Sequence, residues 1–304
     1  MLRSADLRQL RYFSVVAETL SFSEAAQRLH VAQPAISRAV RDLEQSLGVT
    51  LFVRTTRKVT LTPEGAALAK GADRAWQTLE TTLRMVQQIR SGVNGEILLG
   101  YSAQSAHGPM SKLLIKFRQH RPGIKLKLQL RSSEEQIDQL RQGRMDMGFL
   151  LSAAVPPDLE EVQVTREKFV ALLPEAHPLA QEPEIHLRML RDEPFILGTA
   201  ERWRMFRTLI EGACLHEGFR PRVVGEGDDT PLLLEMIASG LGVSLYGAPI
   251  VHVLPPGVRA LPVAPETPDF GISMCWNGQA VTPAMAALVS FIRDELARQQ
   301  AAAG

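Results

Sequence analysis

Four side chains between residues 33 and 41 have the chemistry needed to read a nucleic-acid base: Gln33, Ser37, Arg38 and Arg41. A glutamine amide bonds adenine through two hydrogen bonds, an arginine fork bonds guanine O6 and N7, and a serine hydroxyl serves a base or a phosphate. A second group, Arg54, Arg57 and Lys58, is purely cationic. It suits phosphates or an adjacent minor groove, and positions a protein on a duplex more than it specifies sequence. A third group is dispersed and mostly small and polar: Ser102, Gln104, Ser105, Ser132, Ser133, Thr199, Trp203 and Thr230. Short hydroxyls and amides suit a carboxylate, and the hydroxyls are equally suited to capping helices. Catalytic chemistry has no comparable signature. A Gly-rich phosphate loop and a G-x-S-x-G elbow are both missing, and the seven histidines show no metal-ligand spacing with cysteines or acids, so no catalytic residue, metal or cofactor is expected.

The elements that must hold the first two groups follow from apolar spacing. Leu7, Leu10, Phe13, Ala17 and Leu20 recur at helical intervals and predict a first helix over about 6–20 with that stripe inward. Ser21 and Glu24 form a capping box for a short second helix, whose Ala25, Ala26 and Leu29 provide a small-residue face. Pro34 belongs in the first turn of a third helix, where its missing N–H is harmless. That helix runs to about Leu47, with Ile36, Val40, Leu43 and Leu47 buried, so Gln33, Ser37, Arg38 and Arg41 project together from the other side. Residues 51–53 and 59–61 read as short strands, which puts the cationic group at a hairpin tip beside the third helix. This is a winged helix-turn-helix. Thr62, Pro63 and Glu64 then open a long helix ending near Arg90. Its Ala72, Trp76, Leu79, Leu83 and Val86 form a heptad seam that either pairs with a second helix or packs on its own domain.

The segment LRQLRYFSVVAETLSFSEAAQRLHVAQPAISRAVRDLEQSLGVTLFVRTTRKVTLTPEG, residues 7–65, resembles the DNA-binding domain of the LysR-type transcriptional regulators. The resemblance is carried by Ala25 and Ala26, Gln33 to Ala35, Ser37 and Arg38, Leu43 and Glu44, Leu47 and Gly48, Leu51 and Phe52, Arg54, and Thr62 to Gly65. It implies that Gln33, Pro34, Ser37 and Arg38 face the major groove, that Arg54 and Arg57 serve the wing, and that the long helix pairs antiparallel with its copy. A two-fold dimer then presents two reading heads to an interrupted inverted repeat. The resemblance further implies a tetramer on bent DNA, whose effector alters the bend and the recruitment of RNA polymerase. Ala32 departs from the Ser or Thr of many relatives, which removes a capping or phosphate contact. The same segment is slightly similar to that of regulators of aromatic-acid catabolism, although it does not touch the ligand.

Beyond the Gly-containing break at 91–95, strands and helices alternate. Strands are predicted over 96–101, 125–130, 146–151, 168–173, 195–198 and 243–246, with helices over 109–120, 133–142, about 202–217 and 231–239. This patterning predicts a mostly parallel sheet covered by helices on both sides. The family resemblance continues through HRPG at 120–123, GRMD at 143–146, HPLA at 177–180 and GLGVSL at 240–245. It implies a two-subdomain regulatory unit similar to periplasmic solute-binding proteins, to whose first lobe a strand over 271–276 and a helix over 283–298 return. Gly247 stands where relatives often carry proline, which leaves the backbone after that strand open. The fold class is α/β, divided into a winged helix-turn-helix over 1–61, a linker and dimerisation helix over 62–90, and an effector-binding domain over 91–304. The last comprises a first subdomain of about 95–165 plus 268–300 and a second of about 166–267. Ligands in such sheets bind beyond the carboxyl ends of strands, where the third group of residues lies. Arg202 and Arg204 could pair with an acidic ligand there, but solvation is their expected state.

Charge agrees with this division. Residues 1–90 carry 13 Lys and Arg against 8 Asp and Glu, a net +5, within a chain of net charge +1. A positive surplus on a small N-terminal unit suits a polyanion. The leading residues MLRSADLRQLRYF lack the apolar stretch of an export signal, and no run approaches the roughly 18 apolar residues of a membrane span, so a cytoplasmic protein without membrane association is expected. Cys214 and Cys275 sit in apolar runs and read as packing residues. The whole reads as a regulator that binds double-stranded promoter DNA as a dimer or tetramer and is switched by a small carboxylate or aromatic acid. Three alternatives stay open: an α/β enzyme with a DNA-binding appendage, an exported solute-binding protein, and a ligand-independent DNA-binding protein. Turnover of a ligand, an export signal, or failure to footprint a discrete promoter site would mark them respectively.

Overall fold

The structure, a computed structural model, describes residues 6–55, 58–90, 95–264 and 269–303. The chain forms two compact units, Met1–Leu83 and Arg84–Gly304. In the first, α1 (Leu7–Thr19) opens on a full capping box between Asp6 and Gln9. Helix α2 (Phe22–Leu29) opens on Ser21, whose hydroxyl accepts the Glu24 N–H at 3.2 Å. The Ser21 N–H donates instead to Thr19 Oγ1 at 3.4 Å, so only half of the expected Ser21–Glu24 box is used. Helix α3 (Gln33–Leu47) follows Ala32, which gives no side-chain cap, and stops at Gly48 in the left-handed region that glycine tolerates (φ 70°). Strands β1 (Phe52–Arg54) and β2 (Val59–Leu61) form an antiparallel hairpin. Phe13, Val16, Phe22, Ala25, Ile36, Val40, Leu43, Leu51 and Phe52 make the core.

Three residues expected in the inward stripes lie outside them. Leu7, Leu20 and Leu47 are exposed: Leu7 opens α1, Leu20 closes it in the left-handed conformation, and Leu47 is the last residue of α3, so each stands at a helix end. Helix α4 (Pro63–Arg90) begins with the Thr62 hydroxyl accepting the Gly65 N–H at 2.9 Å and donating to the Thr50 carbonyl at 2.8 Å. A side chain at Gly65 would strike the Leu51 carbonyl, so the close approach of helix and hairpin requires glycine there.

The second unit contains two sheets. One has five strands in the order β4-β3-β5-β13-β6, formed by β3 (Glu96–Tyr101), β4 (Lys125–Leu130), β5 (Met147–Leu151), β6 (Glu160–Glu167) and β13 (Phe270–Trp276). The other has the order β11-β7-β12-β8, formed by β7 (Phe169–Pro174), β8 (Ile185–His186), β11 (Ser244–Gly247) and β12 (Val258–Ala264). A parallel pair, β9 (Pro194–Gly198) and β10 (Arg222–Gly227), joins it through a bridge between Phe195 and Val243. Around them lie α5 (Pro109–His120), α6 (Ser133–Arg141), α7 (Ala200–His216), α8 (Thr230–Ala238) and α9 (Pro283–Ala303).

The expected mostly parallel sheet is corrected to a mixed one. β3 pairs in parallel with β4 and β5, but β13 is antiparallel to both β5 and β6, and β7 is antiparallel to β11 and β12. The cause is a double crossing. The chain leaves the first sheet along β6, enters the second as β7, and later returns from β12 to β13, and these crossing strands lie against neighbours running the other way. Gly247, whose conformation was open, is extended (φ −72°, ψ 140°) and its Cα packs against the Glu167 carboxylate and the Phe270 ring.

Candidate functional site

The outward face of α3 is organised by its own side chains. Gln33 Nε2 donates to Ser37 Oγ at 3.1 Å, and Arg41 Nε donates to the Ser37 carbonyl at 3.2 Å. Gln33, Pro34, Arg38 and Arg41 are exposed and Ser37 is half-buried, so all five stand on the side away from Ile36, Val40 and Leu43. Among the described residues Arg38 has no hydrogen-bond or ion-pair partner, which leaves a whole guanidinium fork available.

The wing is fastened to this helix by Glu44, a residue to which its sequence context alone gives no role. Its Oε1 accepts the N–H groups of Leu51 at 2.8 Å and Phe52 at 3.3 Å, and its Oε2 pairs with Arg54 Nη2 at 3.2 Å. The Arg54 guanidinium also stacks 4.4 Å above the Phe22 ring. Arg54 thus holds the hairpin against α2 and α3 through one ion pair and one ring contact. At the tip, Thr55 and Lys58 close a turn: the Thr55 N–H and hydroxyl both donate to the Lys58 carbonyl, and the Lys58 N–H returns to Thr55 Oγ1 at 3.0 Å. Lys58 is exposed, and Arg57 lies outside the described residues.

In the second unit, the residues of the third group lie on two lobes and most of them converge. On the first lobe Ser102, Gln104 and Ser105 are buried after β3, where the Ser105 hydroxyl accepts the Ser102 N–H at 2.9 Å. Ser132 is the N-cap of α6, forming a complete capping box with Glu135, and Ser133 is buried beside it. On the second lobe the Thr199 hydroxyl bonds Asp228 Oδ1 at 2.7 Å, and Trp203 donates Nε1 to the Asp228 carbonyl at 3.1 Å. The Trp203 indole lies flat against Gly198, where no side chain would fit, and α7 kinks at this residue (φ −117°, ψ 15°). Thr230 is not the cap of α8, a role taken by Asp229. Its hydroxyl instead meets the Tyr246 hydroxyl at 2.7 Å.

Tyr246 links the two lobes. Its hydroxyl reaches the Ala103 carbonyl at 3.3 Å, and its ring packs edge-on against Trp203 with centroids 5.7 Å apart. A looser contact joins Arg204 on α7 to Glu134 on α6 at 3.8 Å, while Arg202 stands 3.9 Å from Asp228, both exposed as expected. Tyr246, Asp228 and Glu134 were not singled out from the sequence. Two buried amides end this region without full partners: Gln104 Nε2, and Gln136 Oε1, which rests on Gly100 and Gly148 of paired strands. Burial pushes the Cys214 thiol up to about 12 and raises the Cys275 thiol too, so both are protonated packing groups. Among the described residues no cluster of His, Cys, Asp and Glu could hold a metal ion, and no helix is long and apolar enough to cross a membrane.

Comparison with known proteins covers both units. Residues 7–66 match the family model described as bacterial regulatory helix-turn-helix protein, lysR family, and residues 90–297 match the LysR substrate binding domain. The chain is 30% identical to the uncharacterized HTH-type transcriptional regulator YnfL of Escherichia coli K12 over 272 residues, 89% of this chain and 92% of that protein. It is 27% identical to the Hca operon transcriptional activator HcaR of the same organism, over 96% of this chain and 98% of that one. Among solved structures, full-length CbnR complexed with its target DNA superposes with a TM-score of 0.74 at 25% identity, covering 95% of this chain and 99% of that chain. A reading helix with a fastened wing, joined through one long helix to a two-lobed binding unit, thus coincides with sequence matches to both domains: the chain belongs to the LysR family of transcriptional regulators, proteins that act on DNA and not as enzymes.

Proposed function

We propose that this regulator binds promoter DNA through Gln33, Pro34, Ser37, Arg38 and Arg41, steadied by Arg57 and Lys58, and that a small carboxylate or aromatic acid held between its lobes switches it. Arg54 belongs to this interface as the brace of the wing. The single observation that carries the effector reading is the buried, unpartnered Nε2 of Gln104, which lies between the buried Ser102 and Ser105 and next to Ala103, whose carbonyl receives the Tyr246 hydroxyl of the other lobe. Leaving a buried donor unsatisfied costs about 1–3 kcal/mol, which a carboxylate oxygen would recover. Ser102, Ser105, Ser132, Ser133, Thr199, Trp203 and Thr230 complete the proposed effector contacts.

The reading extends to assembly. Leu79, Leu83 and Val86 of α4 are exposed on one chain, an apolar strip that a second copy would cover, and two such dimers give the tetramer and the contact with RNA polymerase expected of the family. Action on chromosomal DNA places it in the cytoplasm. The domain limits 1–61, 62–90 and 91–304 are proposed on the same grounds. A thermal-shift screen of small carboxylates and aromatic acids tests the effector class, since a ligand preferring the native state raises its melting temperature. A hit that stabilises the native chain but not Gln104→Leu supports the reading, and a screen without hits overturns it. For DNA, equal affinity for the protein's own promoter region and random duplex at physiological salt would refute sequence reading by α3.

A further inference from the structure

Hydroxyls inside the helices of this chain share a habit. Ser14, Thr19, Thr78, Thr82 and Thr208 each donate to the carbonyl four residues back, at 2.8 to 2.9 Å. Such a back-bond is the ordinary resting state of a serine or threonine within a helix. Ser37 departs from it. Its Oγ accepts a hydrogen bond from Gln33 Nε2 at 3.1 Å, and among the described residues its own proton goes to no acceptor. One turn further on, Arg41 Nε donates to the Ser37 carbonyl at 3.2 Å, so Gln33, Ser37 and Arg41 form a single row along α3. Ala32 gives the helix no side-chain cap, and among the described residues the Ser37 hydroxyl is the one partner of the Gln33 amide.

That tether limits what the amide can offer to a base. A carboxamide nitrogen carries two protons. With one directed at Ser37 Oγ, the other remains beside Oε1, a donor next to an acceptor. Adenine shows the complementary pair in the major groove, N7 as acceptor and N6 as donor. Guanine shows two acceptors, N7 and O6. An untethered glutamine can turn its NH2 group toward both of them. A tethered one must first break its bond to Ser37, or else set Oε1 against the guanine O6. Arg38, all donors and without a partner among the described residues, has the opposite preference.

We propose that Ser37 is a positioning residue for base reading: its hydroxyl holds the Gln33 amide in the orientation that accepts adenine and rejects guanine. The inference rests on the proposed seating of α3 in the major groove, and it adds the identity of one base in each half-site and the reason for it. The bond is present in the free protein, so a long amide side chain gives up rotamer freedom before DNA arrives. Selectivity at that base is then set by a contact within the helix as well as by the contact with DNA.

The test is a selection from a pool of randomised duplexes by the full-length native protein, Gln33→Ala and Ser37→Ala, with the bound fragments sequenced. Alanine is the best helix former and both positions face outward, so the variants keep the fold, and matched thermal melting curves check this. The native protein should enrich a motif with adenine at one position of each half-site. Gln33→Ala should lose the preference there alone, which identifies the position. In Ser37→Ala the adenine-to-guanine ratio at that position should fall at least about fivefold while the rest of the motif is kept. Uniform weakening across the motif is what a hydroxyl acting only through its own DNA contact would give, and it would overturn the proposal. An unchanged ratio in Ser37→Ala, a motif indifferent to Gln33→Ala, or a base other than adenine at the position so identified would do the same. No enriched motif with the native chain would instead refute sequence reading by α3 itself.

Discussion

On the proposed DNA interface, Arg38 and Lys58 stand for two kinds of contact with a duplex. Among the described residues the Arg38 fork is unpartnered on the face of α3, whereas Lys58 sits on a closed turn at the wing tip. Arg38→Ala should lose about 1–3 kcal/mol on the specific site and little on random sequence, while Lys58→Ala should weaken both alike and reduce the salt slope by about one. Fluorescence anisotropy over a salt series measures both. Glu44 acts on the wing from within. Glu44→Ala strands the Leu51 and Phe52 N–H groups and releases Arg54, so a loss of about 1–3 kcal/mol in denaturant unfolding of the N-terminal unit is expected. Arg54→Ala should cost less, because Glu44 keeps its two backbone donors. Glu167 gives the pH dependence. Its folded value of about 7 exceeds the ordinary 4.5, so the folded chain holds the proton more tightly. Its contribution is complete below about pH 4.5 and is lost as pH rises through about 7. Above about pH 8, Glu167→Gln should therefore be more stable than the native chain by up to about 3 kcal/mol, with the advantage vanishing in acid. Denaturation midpoints across pH that ran parallel for the two proteins would contradict this.

At the scale of elements, α4 makes the sharpest claim. Leu83 is 54% exposed on a helix whose earlier seam residue Ala72 is buried and whose Trp76 donates to Ser14 Oγ at 3.2 Å. The seam is thus consumed by its own unit at one end and free further along. Leu83→Asp should shift sedimentation toward smaller species and weaken binding to a two-half-site operator far more than to a half-site, because linked heads gain effective concentration. Helices of the N-terminal unit were legible because a 3.6-residue period, Pro34 and Gly48 mark them locally. Where an apolar stripe ends is decided by neighbours, which is why Leu7, Leu20 and Leu47 were misplaced. Strands β6, β8, β10 and β12 were not read. β6 is charged along its exposed side, β8 has two residues, β10 contains two glycines and β12 contains Pro262, so each lacks the usual apolar alternation. The inter-lobe cluster was legible at the ends of predicted strands, but Tyr246 read as one more strand residue. Its hydroxyl contact lies 143 residues away at Ala103, and no local pattern encodes that.

For the molecule as a whole, Tyr246 is where the lobes are tied. Tyr246→Phe removes the bonds to Thr230 and Ala103, so a stability loss of about 1–2 kcal/mol is expected. Faster amide hydrogen exchange over 102–106 should accompany it, while exchange in α1 to α3 stays unchanged. An unaltered 102–106 segment would show that the tie does not restrain the lobes. The strand order carries a consequence for how this protein is made. Among the described residues β6 is held in its sheet only by β13, so during synthesis it waits, unpaired, for about a hundred residues until Phe270–Trp276 leave the ribosome. The DNA reader is finished long before the sensor can close. A nascent chain interrupted in that interval would carry a working head on an incomplete body with two open strand edges, the kind of intermediate that chaperones and proteases must intercept before it occupies an operator it cannot be told to leave.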